Sequence, residues 1–138
     1  MTVYIASDHA GFELKEKILS LNPSFKNLGP DSEDRVDYPD FAKKVCSQIA
    51  ENNESFGILI CGSGQGMSIS ANKFPQIRAA LCTSLELAEL SRAHNNANVL
   101  CLSSRLVEEK LNLKILKRFF ATDFEGGRHQ QRVDKIKT

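Results

Sequence analysis

The chain has 138 residues, close to one domain at roughly 100–200 residues per domain. Hydrophobic residues make up 41% and charged residues 25%, the ordinary balance of a soluble globular fold with a full core. Eighteen Lys+Arg oppose seventeen Asp+Glu, leaving +1, so no overall field draws in nucleic acid or an anionic membrane.

Hydrophobic periodicity alternates between two modes along the chain. Val3-Tyr-Ile-Ala6 reads as a strand, stopped by Ser7-Asp8-His9-Ala10-Gly11. From Phe12 the spacing turns helical, with Phe12, Leu14, Ile18, Leu19 and Leu21 on one face until Asn22-Pro23. Phe25 to Leu28 reads as a short strand closed by Gly29-Pro30; a polar loop, 31–37, leads to Tyr38-Pro39 and a helix facing the core through Phe41, Ala42, Val45 and Ile49. Phe56-Gly-Ile-Leu-Ile-Cys61 is the most continuous apolar run, the pattern of a central strand covered on both faces. Gly62-Ser-Gly-Gln-Gly66 breaks it, and a helix over Met67–Lys73 follows. Ile77–Leu81 is a fourth strand, a helix lies around Ser84–Arg92, and Asn98–Leu102 is a fifth strand. A long helix covers about Val107–Phe120, and the polar, basic end, 126–138, includes one more helical stretch.

Five strand–helix alternations with short connections predict a single α/β domain over residues 1–138, a five-stranded parallel sheet with helices on both faces. In the common doubly wound order 2-1-3-4-5, ligands bind beyond the C-terminal ends of strands one and three. The loops there are Ser7–Gly11 and Cys61–Gly66, the two richest in chemically capable residues.

The apolar runs fall far short of the roughly 20 residues of a membrane span, and the start of the chain lacks the basic head and long apolar region of a secretory signal. The cytoplasm is the expected compartment. Cys46, Cys61, Cys82 and Cys101 contain no C-x-x-C pair, so no zinc knuckle is written, and a reducing compartment makes disulfides unnecessary. Cys46, Cys82 and Cys101 are expected as small buried hydrophobes; Cys61 is the exception.

Three alternating glycines ahead of a helix let backbone N–H groups converge on an anion. Three familiar glycine motifs fail at Met67: a dinucleotide loop needs glycine there, a C-x5-R phosphatase needs arginine, and Gln65-Gly66-Met67 is not the Gly-Lys-Ser/Thr of a P-loop. What remains is a thiol at a strand end facing helix N–H groups, a setting that lowers a thiol's pKa and equips it as base or nucleophile. A core cysteine at a strand end is the bland reading of the same pattern. His9, His94 and His129 are confined to polar, Gly/Asn-rich junctions, where imidazole can shuttle protons or simply face solvent. Arg128 and Arg132, spaced i, i+4, can grip one phosphate from one helix face, or belong to a solvated basic tail with Lys135 and Lys137. Arg105, after the fifth strand, is another cation near the sheet's C-terminal edge.

Ser7-Asp8-His9-Ala10-Gly11, Asp37-Tyr38-Pro39, Cys61–Gly66, Ala71-Asn72-Lys73, Ser91-Arg-Ala-His94-Asn95, Asn98-Val-Leu and Gly126–Arg132, in this order and spacing, resemble the ribose-5-phosphate isomerase B family. That family also contains allose-6-phosphate and galactose-6-phosphate isomerases. The resemblance implies a three-layer Rossmann-like α/β/α sandwich and interconversion of ribose 5-phosphate and ribulose 5-phosphate without metal or cofactor. It implies a homodimer or dimer of dimers, with each site built from both subunits. Some members use a cysteine ahead of the glycine loop as base, others a glutamate after it. Cys61 and Met67 place this sequence with the cysteine type, and Ser63 replaces the threonine common there.

By the same resemblance, Cys61 is the base, the loop Gly62, Ser63, Gly64, Gln65 and Gly66 stabilises the enediolate, and His94 opens the sugar ring with Asp8 close to the hydroxyls. Arg128, Arg132, His9 and His129 hold the phosphate, and Asn95, Tyr38 and Arg105 line the rest. The expected partner is a small sugar phosphate, with neither nucleic acid nor membrane. Two rivals accompany this reading: a six-carbon substrate, and a non-catalytic sugar-phosphate-binding module on the same fold.

Overall fold

A computed structural model of the protein describes residues 1–136; residues 137 and 138, the end of the expected basic tail with Lys137, lie outside the described residues. The chain runs β1 (Val3–Ser7), α1 (Phe12–Leu21), β2 (Lys26–Asn27), α2 (Tyr38–Glu51), β3 (Phe56–Cys61), α3 (Gln65–Ala71), β4 (Ala79–Leu81), α4 (Leu85–Ala93), β5 (Val99–Ser103), α5 (Glu109–Phe120) and α6 (Arg128–Asp134). Helix starts follow local chemistry. The Ser84 side chain accepts from Leu87 N at 3.1 Å and caps α4, and Pro39 sits in the first turn of α2, where its missing N–H costs nothing.

All strand pairs are parallel, in the order β2-β1-β3-β5-β4. The expected neighbourhood of β1 and β3 holds, but the expected order 2-1-3-4-5 does not: β5 lies next to β3, and β4 is the edge. Burial gives the reason. Every residue of β5 is buried, whereas the three of β4 are half-buried, so the fully apolar strand takes the inner position and the short one the rim.

Strand residues alternate between two cores. Ile5, Ile58, Ile60, Leu100 and Leu102 pack with Leu14, Ile18, Ala88, Ile115 and Phe119 from α1, α4 and α5. Ala6, Leu59, Cys61, Val99 and Cys101 pack with Phe41, Val45, Ile49, Met67 and Ala71 from α2 and α3. The result is the expected three layers, in which a fully buried side chain such as Ile60 contributes about 1.5–3 kcal/mol. Lys15 of α1 is fully buried within this apolar frame. Its Nζ donates to Glu16 Oε1 and Asn27 Oδ1, each at 3.0 Å, and lies 5.0 Å from the Phe12 ring centre, tying α1 to the edge strand β2.

Candidate active site

At the C-terminal edge of the sheet the ends of β1, β3 and β5 are stitched together. Asp8 N donates to Ile60 O (3.1 Å), and Asp8 Oδ1 accepts from Gly11 N (3.0 Å), closing the 8–11 turn over the end of β3. A side chain at Gly11 would stand 2.7 Å from the Ile60 carbonyl oxygen, so only glycine allows that approach. Ser104 Oγ donates to Ala10 O (2.8 Å) and stands 3.3 Å from Cys61 O, Ser104 N donates to Cys61 O (3.0 Å), and Arg105 N donates to Gly62 O (3.0 Å). The side chain of Arg105 lies against Gly62, as its place after β5 suggested.

Cys61 ends β3 facing the α2–α3 layer. It is 4% exposed, nearly as buried as Cys46, Cys82 and Cys101, so the expected contrast in burial among the four thiols is small. The others have no surface at all, and burial raises their pKa values: Cys46 to about 12, Cys82 to about 11, and Cys101 well above the usual range. The chain reverses at Gly64, whose φ of +79° is left-handed, and α3 begins at Gln65. Gln65 N donates to Ser63 Oγ at 3.2 Å, which leaves the Ser63 hydroxyl proton for another acceptor. The Tyr38 ring lies directly on Gly66, so Tyr38 walls the loop from the α2 side. His9 Nδ1 is 3.3 Å from both N and O of Val36, fixing the ring against the 31–37 loop in either tautomer.

His94, Asn95, Arg128, His129 and Arg132 are elsewhere. His94 follows α4 and precedes the start of β5, where Gly57 N donates to Asn98 O. That is the N-terminal edge of the sheet, a strand length away, on the order of 15 Å at 3.3 Å per residue. Asn95 lines a groove of about 880 Å³ there, together with Asn72, Phe74, Arg78, Asn98 and Val133; no residue of 61–66 borders it. The expectation that thiol, glycine loop and paired arginines share one crevice is therefore corrected for a single chain. Consecutive βα units send each helix back to the start of the next strand, so residues closing α4 and opening α6 fall at the opposite rim.

This second cluster is nevertheless ordered. The His94 and His129 rings stack 4.2 Å apart at 13°. Glu125 Oε2 is 3.8 Å from His94 Nε2, and Glu125 Oε1 is 3.6 Å from His129 Nε2. His129 is buried and lies on α6, not in a solvated loop. Its pKa is lowered by that burial and by His94 and Arg128, with Glu125 acting the other way. Arg128 and Arg132 do share α6, as their spacing implied. The three ligand-type side chains are close enough to suggest a cation site. Nearly parallel stacked rings, however, keep their in-plane lone pairs in two separate planes, a poor arrangement for two nitrogens to share one ion.

Arg92 pins this rim. Its guanidinium donates to Ala97 O (2.7 Å), Asn96 Oδ1 (2.9 Å) and Thr122 O (3.3 Å), and lies over Phe56 and Phe119. Sequence reasoning gave no role to Arg92, Ser104 or Glu125. Arg92 stood inside the Ser91–Asn95 motif and Glu125 immediately before Gly126-Gly127-Arg128-His129, while Ser104 carried no signal.

A parallel α/β/α sandwich with a thiol, a glycine turn and a helix start at the β1/β3 switch point defines a Rossmann-like protein with its candidate site at that switch point. The chain belongs to the ribose/galactose isomerase family, whose model matches residues 3–136. It is similar to ribose-5-phosphate isomerase B of Escherichia coli strain K12, 44% identical over 133 residues that cover 94% of this chain and 89% of that protein. A solved ribose 5-phosphate isomerase from Thermotoga maritima superposes with a TM-score of 0.93 at 49% identity, covering 99% of this chain and 97% of the other. The Mycoplasma genitalium ribose-5-phosphate isomerase B, solved with ribulose 5-phosphate bound, gives 0.92 at 46% identity, over 98% and 93%.

Proposed function

We propose that the chain interconverts ribose 5-phosphate and ribulose 5-phosphate, with Cys61 as the base and each site completed by a second copy of the chain. The carrying observation is the position of Cys61: the last residue of β3, followed directly by a glycine turn and the start of α3. A thiolate there moves the proton between C2 and C1. The N–H groups of the 62–66 turn and the Ser63 hydroxyl meet the enediolate oxygen, each well-aimed donor contributing about 3 kcal/mol. Asp8, Tyr38 and Arg105 border the same edge and take the sugar hydroxyls, and His9 reaches the phosphate.

Among the described residues, the base edge holds Arg105 and His9 but neither His94 nor the paired arginines; the opposite rim carries these, His94 as the ring-opening acid and Arg128 and Arg132, with His129 beside them, as the phosphate grip. Docking the rim of one copy onto the base edge of another supplies them reciprocally, so a two-fold dimer holds two sites. In this reading the whole of 1–138 is one isomerase domain, whose basic end serves the partner's site. Four unpaired thiols suit the reducing cytoplasm, where we place the reaction.

Subunit mixing tests the arrangement. C61A and H94Q are each inactive alone. Co-refolded at equal amounts, half the dimers pair one of each and carry one intact site, so about a quarter of wild-type turnover returns. If mixing restores nothing, the shared site is wrong; if C61A alone turns over normally, the base is wrong.

A further inference from the structure

We propose that Glu125 is a positioning residue of the His94–His129 stack, its two carboxylate oxygens facing one Nε2 each, so that the pair keeps a single proton available to His94. The inference rests on the reading above that His94 is the ring-opening acid. It starts from three elements meeting at one point: His94 at the end of α4, Glu125 in the α5–α6 connection, and His129 in α6. The backbone of Glu125 is fixed there, because its N–H donates to Ala93 O at 3.0 Å.

Two imidazolium rings 4.2 Å apart would repel one another strongly, so the pair takes up its protons in separate steps. The surroundings are otherwise cationic. Arg128 and Arg132 on α6 oppose charging of His129, and Arg92 on α4 lies two residues before His94, with Asp123 in its own vicinity. Among the described residues, Glu125 is the one carboxylate within 4.0 Å of either ring. It therefore offsets that field and favours one proton on the stack. The rings differ in access: the His94 side chain is 36% exposed and that of His129 is 9% exposed. The proton thus leaves through His94, while His129 backs it as a neutral, stacked partner.

The two carboxylate oxygens bracket the pair at 3.6 and 3.8 Å, close enough to act through charge. Glu125 itself is 59% exposed, so changing it removes charge and leaves packing intact.

The experiment compares full-length wild type, E125Q and E125D. It reads the NMR titration of the imidazole carbons and the pH profile of isomerisation. In E125Q the pair takes up its proton about half to one pH unit lower than in wild type. The alkaline limb of kcat moves with it, so kcat at a pH above that limb falls about threefold to tenfold. KM stays level or drops, because losing a carboxylate cannot weaken the hold on a phosphate dianion. E125D recovers most of the lost rate. An unmoved imidazole titration in E125Q overturns the proposal, as does a rise in KM with no shift in pH profile, the mark of a structural role alone. If the titration shifts while the kcat limb stays put, Glu125 does hold the pair's proton, and it is His94 that loses its role as acid.

Discussion

Gly66→Ala offers a test of the site's construction in which the sign of the effect depends on one neighbour. Gly66 is the second residue of α3, and alanine in a helix is favoured over glycine by up to about 1 kcal/mol. A β-carbon at Gly66, however, would collide with Cε1 and Cζ of the Tyr38 ring. Crowding of this kind costs typically about 1–3 kcal/mol, and here the lower half applies, because Tyr38 is 40% exposed and can swing outward. In the native background G66A is therefore neutral to destabilising by about 1 kcal/mol. In the Y38A background the obstacle is gone, and the same change stabilises by about 0.5–1 kcal/mol.

Calorimetric melting of the four proteins measures the cycle. At about 3 °C per kcal/mol for a chain of this size, the coupling of about 1–2 kcal/mol appears as a difference of 3–6 °C. Turnover falls in G66A as Tyr38 leaves the loop it walls. Equal effects of G66A in both backgrounds would refute the close packing of Tyr38 on the glycine turn and its place in the site.

Two further outcomes follow from burial. Cys46 and Cys82 ionise near pH 9.0 when unfolded but only near 12 and 11 when folded. Above about pH 9 the unfolded chain thus sheds protons that the folded one keeps; the stability present below pH 9 is lost as pH rises through that window, and urea midpoints at pH 10 fall below those at pH 8. A flat midpoint over that range would show that these thiols are not buried as described. R92K keeps the charge but loses the planar fork that serves three acceptors at once. It should lower the melting temperature by about 6 °C or more, from about 2 kcal/mol of lost hydrogen bonding, and loosen the His94–His129 stack, seen as loss of the ring-to-ring NOE; an unchanged melt would remove Arg92 as the clasp of that rim.

What the residues disclosed in advance depended on whether the signal was local. β3 falls on Phe56–Cys61 as its unbroken apolar run implied, and α4 begins after Ser84 because a serine cap is written in three or four residues. β4 shrank to Ala79–Leu81 because Ile77 and Arg78 stay outside the ladder; Arg78 instead bonds through its backbone and Nε to Asn98 and Asn96. Its exchange of place with β5 is a comparison of two strands' burial, which neither shows singly. The C-terminal-edge residues Asp8, Cys61, Ser63, Gly66 and Arg105 were legible as one group because each ends a strand or lies within a few residues after one. The stacked pair was not legible: His94 and His129 come together only through the return of α5 and the turn at Gly126-Gly127, contacts that carry no local pattern. The burial of Lys15 carries no local pattern either, since its acceptor Asn27 lies twelve residues further along the chain.

The sheet is bounded by a two-residue strand on one side and a three-residue strand on the other. Such stubs offer too few free N–H and C=O groups to template another chain, so sheet extension from molecule to molecule is closed off at both margins. Association is left to side chains on helices and loops, where a fit can be selective, and the protein is spared the ladder-by-ladder growth that turns a crowded solution into fibres.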